Sequence, residues 1–375
     1  MLRFHTKSGN TANIKVIGMG GGGGNAVNRM VASEIKGVEF IAANTDSQAL
    51  RKSVAQVKIQ LGISTTRGLG AGGDPEIGRI ATQESEQTIR DVLSGADMVF
   101  ITAGMGGGTG TGGAPVVAQI VRELGTLAIT VVTKPFRFEG EARAKIADRG
   151  IEALRDKVDT LLIIPNQRLY TELDPETRLK DGFEKADEVL KQAVQSISDV
   201  ITTDGFINVD FADVRSIMKD AGRAVMGVGQ ARGSRRAIEA ANSAITSPLL
   251  EDVSIQGALG LLVNITGNED LTMRELDEVM DVITGAVSQE VRTFYGQVFD
   301  NTLQDEVRVT VIATGLSQGE KAVDHAVQGR DYTERTKMFI PRPSRNDVPG
   351  GPSKTPAYLR KGIKVKFEEP EKDSP

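Results

Sequence analysis

Residues 99–117 read VFITAGMGGGTGTGGAPVV, and this stretch decides the class of fold. An apolar run typical of a buried strand leads into seven glycines between Gly104 and Gly113, and a helical pattern follows. Consecutive backbone amides without Cβ atoms can wrap a phosphate chain closely, and Thr109 and Thr111 add hydroxyl groups. A purely structural role is disfavoured, because glycines cost conformational entropy without giving packing. The order strand, glycine loop, helix predicts a phosphate-binding loop, but no G-K-[ST] follows, so it is not a Walker P-loop.

A second glycine loop lies in residues 14–30, IKVIGMGGGGGNAVNRM. Gly18-x-Gly20-x-x-Gly23 matches the dinucleotide fingerprint formally, and Asp46 closes the next strand in ANTD. One interpretation is therefore an NAD-dependent oxidoreductase, and another is a tight turn that allows close helix–strand packing. Two glycine loops at the carboxyl ends of neighbouring strands instead favour a nucleotide with several phosphates.

The first half of the chain alternates apolar runs with helical patterns, which predicts a doubly wound parallel sheet in a nucleotide-binding domain over 13–178. The apolar runs are continuous, as expected of strands buried on both faces. The predicted strands are 14–17, 38–43, 98–103, 127–132 and 161–164, and the predicted helices are 24–34, 76–94, 112–124 and 140–157.

A long amphipathic helix is predicted over 179–202, joining the first domain to a second, α+β domain over 203–316. In that second domain the predicted helices are 211–222, 235–245 and 271–290, and the predicted strands are 258–265, 292–298 and 307–314.

Both ends of the chain lack these patterns. Residues 1–12 are expected to be flexible, and 317–354 to be a disordered linker, because the periodicity fails after Gly315 and seven of 13 prolines lie in 341–375. Within 355–375, the segment TPAYLRKGIKVKF mixes apolar and basic residues and resembles a peptide that a partner binds.

Composition excludes several classes of function. With 45 basic and 50 acidic residues the net charge is −5, which argues against a nucleic-acid-binding surface. The absence of cysteine excludes disulfides and thiolate sites, and two histidines make a histidine-built metal site implausible. No apolar stretch has the length of a membrane span or a signal peptide, so we expect a cytoplasmic protein.

Several polar residues have an ordinary structural interpretation from pattern alone. In Asn208-Val-Asp210-Phe-Ala-Asp213, Asp210 suits a helix N-cap with Asp213 at the third helical position. Periodicity favours Phe183 as a core residue of the long helix. Glu139 is a favourable residue near a helix start.

The heptapeptide GGGTGTG at 106–112 resembles the signature of the tubulin/FtsZ family of GTPases, and most closely of its FtsZ members, the bacterial cell-division proteins. The similarity runs from about Asn13 to Leu316 and resumes in the tail. It includes, in one order, KVIGMGGGGGNAV, ANTD, GLGAGGDPEIGR, VFITAGMGGGTGTGGAP, VVTKPFRFEG, IIPNQRL, NVDFADVR and SPLLED.

This resemblance implies a tubulin-like fold and a site for GTP or GDP with Mg²⁺, the metal being held mainly through the phosphates. It implies phosphate contacts from both glycine loops, a γ-phosphate-sensing loop at 70–74, guanine hydrogen bonds from Asn166 and Asp187, and stacking on Phe183. The implied nucleotide-binding residues are Gly21, Gly22, Gly23, Gly24, Asn25, Asn44, Asp46, Gly72, Gly107, Gly108, Thr109, Gly110, Thr111, Glu139, Arg143, Asn166, Phe183 and Asp187.

The resemblance also implies that Asn208, Asp210 and Asp213 are catalytic and act on the nucleotide of the next subunit in a head-to-tail filament. Hydrolysis would then follow polymerisation, and the filaments would form the cytokinetic ring at mid-cell, at the inner face of the membrane. Residues 355–361 would bind membrane-tethering division proteins, with no nucleic-acid partner and no direct membrane insertion. A filament scaffold without hydrolysis would not need the two acids.

Overall fold

The computed structural model describes residues 12–203, 205–250 and 255–316. The expected linker and tail, with the partner-binding segment 355–361, and residues 1–11 of the expected flexible N-terminus lie outside the described residues. In the described ranges, no helix combines the length and the apolar character that crossing a membrane requires.

Six parallel strands form the first part of the sheet, as the continuous apolar runs predict. They are β1 (Ile14–Met19), β2 (Val38–Asn44), β3 (Val57–Gln60), β4 (Met98–Gly104), β5 (Leu127–Lys134) and β6 (Thr160–Pro165). Their order is β3-β2-β1-β4-β5-β6, and helices cover both faces, with separate apolar cores on the two sides. The doubly wound parallel architecture is thus confirmed.

The remaining strands extend the same sheet. They are β7 (Gly222–Arg232), β8 (Gly260–Gly267), β9 (Arg292–Phe299) and β10 (Glu306–Thr314). The junction is β7, which pairs in parallel with β6 over three residues and runs antiparallel to β10. The described strands therefore form one ten-stranded sheet that ends β6-β7-β10-β8-β9.

The described α-helices are α1 (Gly20–Ala32), α2 (Ser47–Lys52), α3 (Ile63–Thr66), α4 (Pro75–Glu84), α5 (Glu86–Leu93), α6 (Thr109–Glu123), α7 (Glu141–Arg155), α8 (Asn166–Leu169), α9 (Leu179–Thr202), α10 (Phe211–Met218), α11 (Arg236–Ile245) and α12 (Met273–Gly285).

Five helix predictions need correction. The helix predicted over 112–124 begins at Thr109, and the helix predicted over 271–290 spans only Met273–Gly285. The first helix begins at Gly20, not at residue 24, because the glycine run itself is helical. The helix predicted over 76–94 is broken at Ser85, whose hydroxyl accepts a hydrogen bond from the N–H of Gly62. The helix predicted over 211–222 stops at Met218, because the chain enters β7 at Gly222.

The long helix α9 runs as predicted and connects the two halves through its buried face. Residues such as Val194 and Ile197 share one apolar core with Phe100 of β4, Leu262 of β8 and Ile312 of β10. The apolar face of α9 is buried against strands from both halves of the sheet. This burial stabilises the helix more than its intrinsic helix propensity does.

Candidate nucleotide site

Both glycine loops lie where the strand order reverses. The order increases in one direction from β1 through β2 to β3, and in the other direction from β4 through β5 to β6. In sheets of this type the crevice at the carboxyl ends of the two central strands is the usual place for a ligand. The loop after β1 and the loop after β4 form that crevice.

The helices that follow these loops begin without side-chain caps. The N-cap residues are Met19 for α1 and Gly108 for α6; neither makes a capping hydrogen bond, and neither first turn contains an acidic residue. Their first N–H groups therefore point out of the helices unpaired, where the helix dipole favours an anion.

The neighbouring helices begin differently. At the start of α2, Asp46 Oδ1 accepts the N–H groups of Gln48 at 2.8 Å and Ala49 at 3.2 Å, and Asp74 caps α4. An acid at a helix start satisfies the same N–H groups that a phosphate would use. Of these four helices, α1 and α6 are therefore the ones whose first N–H groups are available to an anion.

The glycines of the first loop have two distinct uses. A Cβ at Gly18 would lie 2.3 Å from the carbonyl oxygen of Gly23, so close strand–helix packing requires this glycine. A Cβ at Gly21 or Gly24 would meet nothing within 4 Å. Gly22 is intermediate, since its Cβ would lie 3.2 Å from Gly104. Gly21, Gly22 and Asn25 are exposed at the mouth of the crevice.

Most glycines of the second loop are needed for packing, so the expectation that they give none is wrong. A Cβ at Gly108 would lie 2.8 Å from the carbonyl oxygen of Asp74, and one at Gly112 would lie 1.9 Å from that of Pro75. A Cβ at Gly110 would meet the Gly104 carbonyl oxygen at 2.8 Å. These contacts let α4 cross α6 closely, while Gly107 alone has open space within 106–112.

The polar residues around the loops are held by the fold. Thr111 Oγ1 accepts the N–H of Gly106 at 2.8 Å, and Asn44 Oδ1 accepts the N–H of Asp46 at 3.1 Å. Thr45, between Asn44 and Asp46, is fully buried. On the other side of the crevice, Gly72 has positive φ, is exposed and has open space around it.

Glu139 and Arg143 lie beside the second loop. Arg143 Nη1 donates to Glu139 Oε2 at 2.8 Å, and Glu139 Oε1 accepts the N–H of Phe136 at 2.8 Å. A Cβ at Gly106 would lie 2.8 Å from Arg143 Cγ, so the arginine stem lies against the loop. Its guanidinium is half exposed, which places a positive charge next to the anion site.

Phe183 belongs to an aromatic cluster and is 38% exposed, so its interpretation as a core residue is wrong. Its ring meets Phe136 edge to face at 5.4 Å and Phe138 at 6.1 Å between centroids. Neither partner was predicted from the sequence, although the motif PFRFEG contains both. Edge contacts hold the Phe183 ring and leave part of it accessible for a flat ligand.

Asn166 has a buried acceptor without a donor, and Asp187 is a half-buried carboxylate that accepts no hydrogen bond within the described residues. Asn166 is buried after β6, and its Oδ1 has no hydrogen-bond partner in the described chain. Burial raises the pKa of Asp187 to about 6; the nearby Arg29 guanidinium opposes the rise and the Glu184 carboxylate adds to it. Buried acceptors without donors are costly. A base that carries adjacent N–H donors, as guanine does, would satisfy them.

The acidic loop after α9 lies apart from this site. Asn208 Oδ1 accepts the N–H of Gly205 at 2.9 Å. Asp210 occupies the N-cap position of α10, as predicted, but its side chain makes no capping hydrogen bond. Within the described residues neither the Asp210 nor the Asp213 carboxylate has a hydrogen bond or ion pair, so both are free to act elsewhere.

The length of α9 sets the distance between the two sets of residues. Asp187 lies in its first half, and Val200, whose carbonyl accepts the N–H of Val209 just before Asp210, is 13 residues further on, about 20 Å at 1.5 Å per residue. The structure thus brings together the glycine loops, the β2 end and the aromatic cluster, but leaves the acids remote.

Comparison with known proteins gives a consistent result. Residues 13–174 match the Tubulin/FtsZ family, GTPase domain, and residues 222–317 match the FtsZ family, C-terminal domain. An empty FtsZ dimer from M. jannaschii is 45% identical with a TM-score of 0.78, covering 81% of this chain and 88% of that chain.

A tryptophan-to-tyrosine mutant of M. jannaschii FtsZ is 46% identical with a TM-score of 0.79, covering 82% of this chain and 92% of that chain. A GTPγS-bound protofilament of CetZ2 from Haloferax volcanii is 21% identical with a TM-score of 0.69, covering 82% and 94% of the two chains. At that identity the last likeness concerns the fold alone.

Proposed function

The chain belongs to the tubulin/FtsZ family of GTPases, and from that premise we propose how its residues bind and hydrolyse GTP. It is a GTP-binding GTPase that polymerises. The alternative of an NAD-dependent oxidoreductase has no support, and Asp46, which that alternative needs for a ribose, uses an oxygen to cap α2.

The triphosphate lies across the uncapped starts of α1 and α6. Gly21, Gly24 and Gly107 leave open space where the phosphates approach, while Gly23, Gly108 and Gly110 let the surrounding backbone pack closely. Arg143 adds positive charge beside Gly106. Loop 68–73, with exposed Gly72, faces the terminal phosphate.

The guanine lies on Phe183 and donates from N1–H and one N–H of the 2-amino group to Asp187, while the second N–H of the 2-amino group donates to Asn166 Oδ1. The unsatisfied Asn166 Oδ1 and the raised pKa of Asp187 support this assignment, because both indicate acceptors that lack donors in the chain itself. Adenine has no N1–H and would leave the carboxylate unsatisfied.

Mg²⁺ is held mainly through the phosphates. It prefers oxygen ligands and usually keeps waters and substrate phosphates in its shell. The described residues contain no group of three or more His, Asp or Glu side chains placed to hold a metal. At the end of β2, side-chain oxygens of Asn44 and Asp46 would be available to the metal or to its waters. When bound, the metal supplies charge stabilisation to the phosphates.

Hydrolysis requires two subunits. The observation that carries this proposal is the separation along α9: Asp210 and Asp213 are unpaired and follow Val209, whose N–H donates to the Val200 carbonyl, about 20 Å of helix from Asp187. They cannot reach the nucleotide of their own chain. In a head-to-tail filament they orient and polarise water at the nucleotide of the neighbouring subunit, with Asn208 beside them.

A complementation experiment tests this division. Asp213→Asn keeps a nucleotide pocket but lacks an acid, and Asp187→Ala keeps the acids but lacks guanine binding. Each variant alone should hydrolyse GTP slowly, and an equimolar mixture should recover turnover, because one variant's acids meet the other's nucleotide.

The control mixture pairs Asp213→Asn with the double variant Asp187→Ala/Asp213→Asn, and it should stay inactive. If the first mixture shows only the sum of the two separate rates, or if wild-type turnover per subunit is independent of protein concentration, hydrolysis within one chain is the correct description.

In the cell, we place the filaments in the cytoplasm as a ring at the division site. Residues 355–361, outside the described chain, bind a membrane-tethering partner. Imaging of a fluorescent fusion tests both statements: a mid-cell ring is expected for the wild type, and Leu359→Ala should leave filaments that are no longer confined to the membrane. A diffuse signal throughout the cycle for both forms would contradict the proposal.

A further inference from the structure

One buried residue, Thr45, contacts both loop 68–73 and the start of α6. Its side chain is fully buried just after β2, and its Oγ1 lies 2.6 Å from Oγ1 of Thr109, the first residue of α6. Its main-chain carbonyl accepts the N–H of Gly70 at 3.2 Å and the hydroxyl of Thr66 at 3.3 Å.

The two residues after Thr45 hold the same loop. Asp46 forms a short antiparallel bridge with Leu69, and the N–H of Ser47 donates to the carbonyl of Gly68 at 3.0 Å. Loop 68–73 is therefore bound along the end of β2. The hydroxyl pair of Thr45 and Thr109 adds a side-chain link from that strand end to the start of α6.

The direction of this hydroxyl pair follows from its ligand. A hydroxyl has one proton to donate and can also accept. Either hydroxyl could be the donor in the chain alone, but phosphate oxygens only accept, so a Thr109 hydroxyl bound to one of them would donate its proton to it. Thr109 can then only accept from Thr45, which has to be the donor. Thr45 would thus orient the Thr109 hydroxyl without itself contacting the nucleotide.

We propose that Thr45 is a positioning residue through which the protein distinguishes GTP from GDP. Its hydroxyl aims Thr109 at the phosphates, and its carbonyl fixes Gly70, so that the loop facing the terminal phosphate and the start of α6 move as one unit. This inference rests on the proposed function, because it takes loop 68–73 to face the third phosphate.

The test replaces Thr45 by valine, which keeps the shape but removes the hydroxyl, and by serine, which keeps the hydroxyl. GTP and GDP compete with a fluorescent GTP analogue for nucleotide-free full-length chain in Mg²⁺ buffer, at concentrations where light scattering detects no filaments. For Thr45→Val we expect the Kd for GTP to rise about tenfold and that for GDP by less than about threefold. Thr45→Ser should restore the wild-type ratio.

A matched control is Thr130→Val. Thr130 lies on β5, is also fully buried, and its Oγ1 has no hydrogen-bond partner among the described residues. The substitution is chemically the same but removes no hydrogen bond. The affinities for GTP and for GDP should therefore both stay at the wild-type values. Thermal melts of all variants show whether a change in affinity reflects a loss of fold.

Two results would overturn the inference: an unchanged GTP-to-GDP ratio in Thr45→Val, including an equal loss of both affinities, or a failure of serine to restore the ratio. A wild-type chain that binds neither nucleotide would instead refute the proposed function.

Discussion

A Cβ atom on Gly23 would lie 2.3 Å from the main-chain carbonyl oxygen of Thr102, so α1 crosses β4 at a distance that no other residue permits. Two positions earlier, a Cβ on Gly21 would meet nothing within 4 Å. The same glycine run therefore contains one residue fixed by packing and one left open to a ligand, and the two can be separated by experiment.

Gly23→Ala should destabilise the fold, because the methyl group must displace backbone, and we expect overpacking of about 1–3 kcal/mol in the free energy of unfolding. Gly21→Ala should instead raise that free energy by up to about 1 kcal/mol, because alanine favours the helix, and should weaken GTP binding. Chemical denaturation and nucleotide titration of both variants measure the two effects. Equal stability of the two variants would contradict this assignment.

GTP affinity should depend on pH through Asp187. The carboxylate accepts two guanine N–H groups with its two oxygens only when ionised, and burial raises its pKa to about 6 in the free protein. The Kd for GTP should therefore rise as the pH falls below about 6, by up to about tenfold per pH unit.

Two variants serve as controls for this dependence. Asp187→Asn should bind GTP weakly with no such slope. Asp199→Asn removes a second α9 carboxylate whose pKa is also about 6, raised chiefly by burial, and it should retain the wild-type slope. If only Asp199→Asn lost the slope, the carboxylate that controls GTP affinity would be Asp199 and not Asp187.

Asp187 should lower the stability of the free protein at neutral pH. Its folded pKa of about 6 exceeds the ordinary value of 3.8, so the folded state binds the proton more tightly. The contribution is fully favourable below the unfolded pKa and is lost as the pH rises through about 6. Asp187→Asn should thus raise the free energy of unfolding at pH 8, by at most about 3 kcal/mol, with no gain near pH 3. If the free energy of unfolding rose equally at pH 8 and near pH 3, ionisation of the Asp187 carboxyl would not be the source of the gain.

Arg236 should be critical for the stability of the second half. Only 6% of its side chain is exposed, and it pairs with Asp270 at 2.6 Å and Glu275 at 2.7 Å. Arg236→Met leaves these acids without their partner and should cost about 3 kcal/mol in the free energy of unfolding. The exposed neighbour Arg235 is the control, since Arg235→Met should change little. Circular dichroism during urea denaturation measures both, and equal effects would contradict the prediction.

The first half of the fold was predictable because its central strands are unbroken apolar runs. The strands β3 and β7 were not predicted: β3 has only four residues, VKIQ, two of them polar, and glycines and arginines interrupt β7. Both form because neighbouring strands pair with them, which depends on contacts distant in sequence.

The position of the candidate site was predictable because glycine loops follow strands, and parallel strands end at one edge. The division of glycines into packing and ligand-facing positions was not predictable, because it depends on how closely α4 crosses α6. The burial of Thr45 and the aromatic partners of Phe183 likewise follow from tertiary contacts.

The span of α9 determines how many complete hydrolytic sites a filament contains. When one chain supplies the pocket and the next supplies the acids, a single filament of n subunits contains n − 1 complete hydrolytic sites. Every break in a filament then removes one site, and every annealing event restores one. The subunit at one end always retains a nucleotide that no neighbour can hydrolyse, so the two ends of a filament differ in nucleotide state even when all subunits are chemically identical.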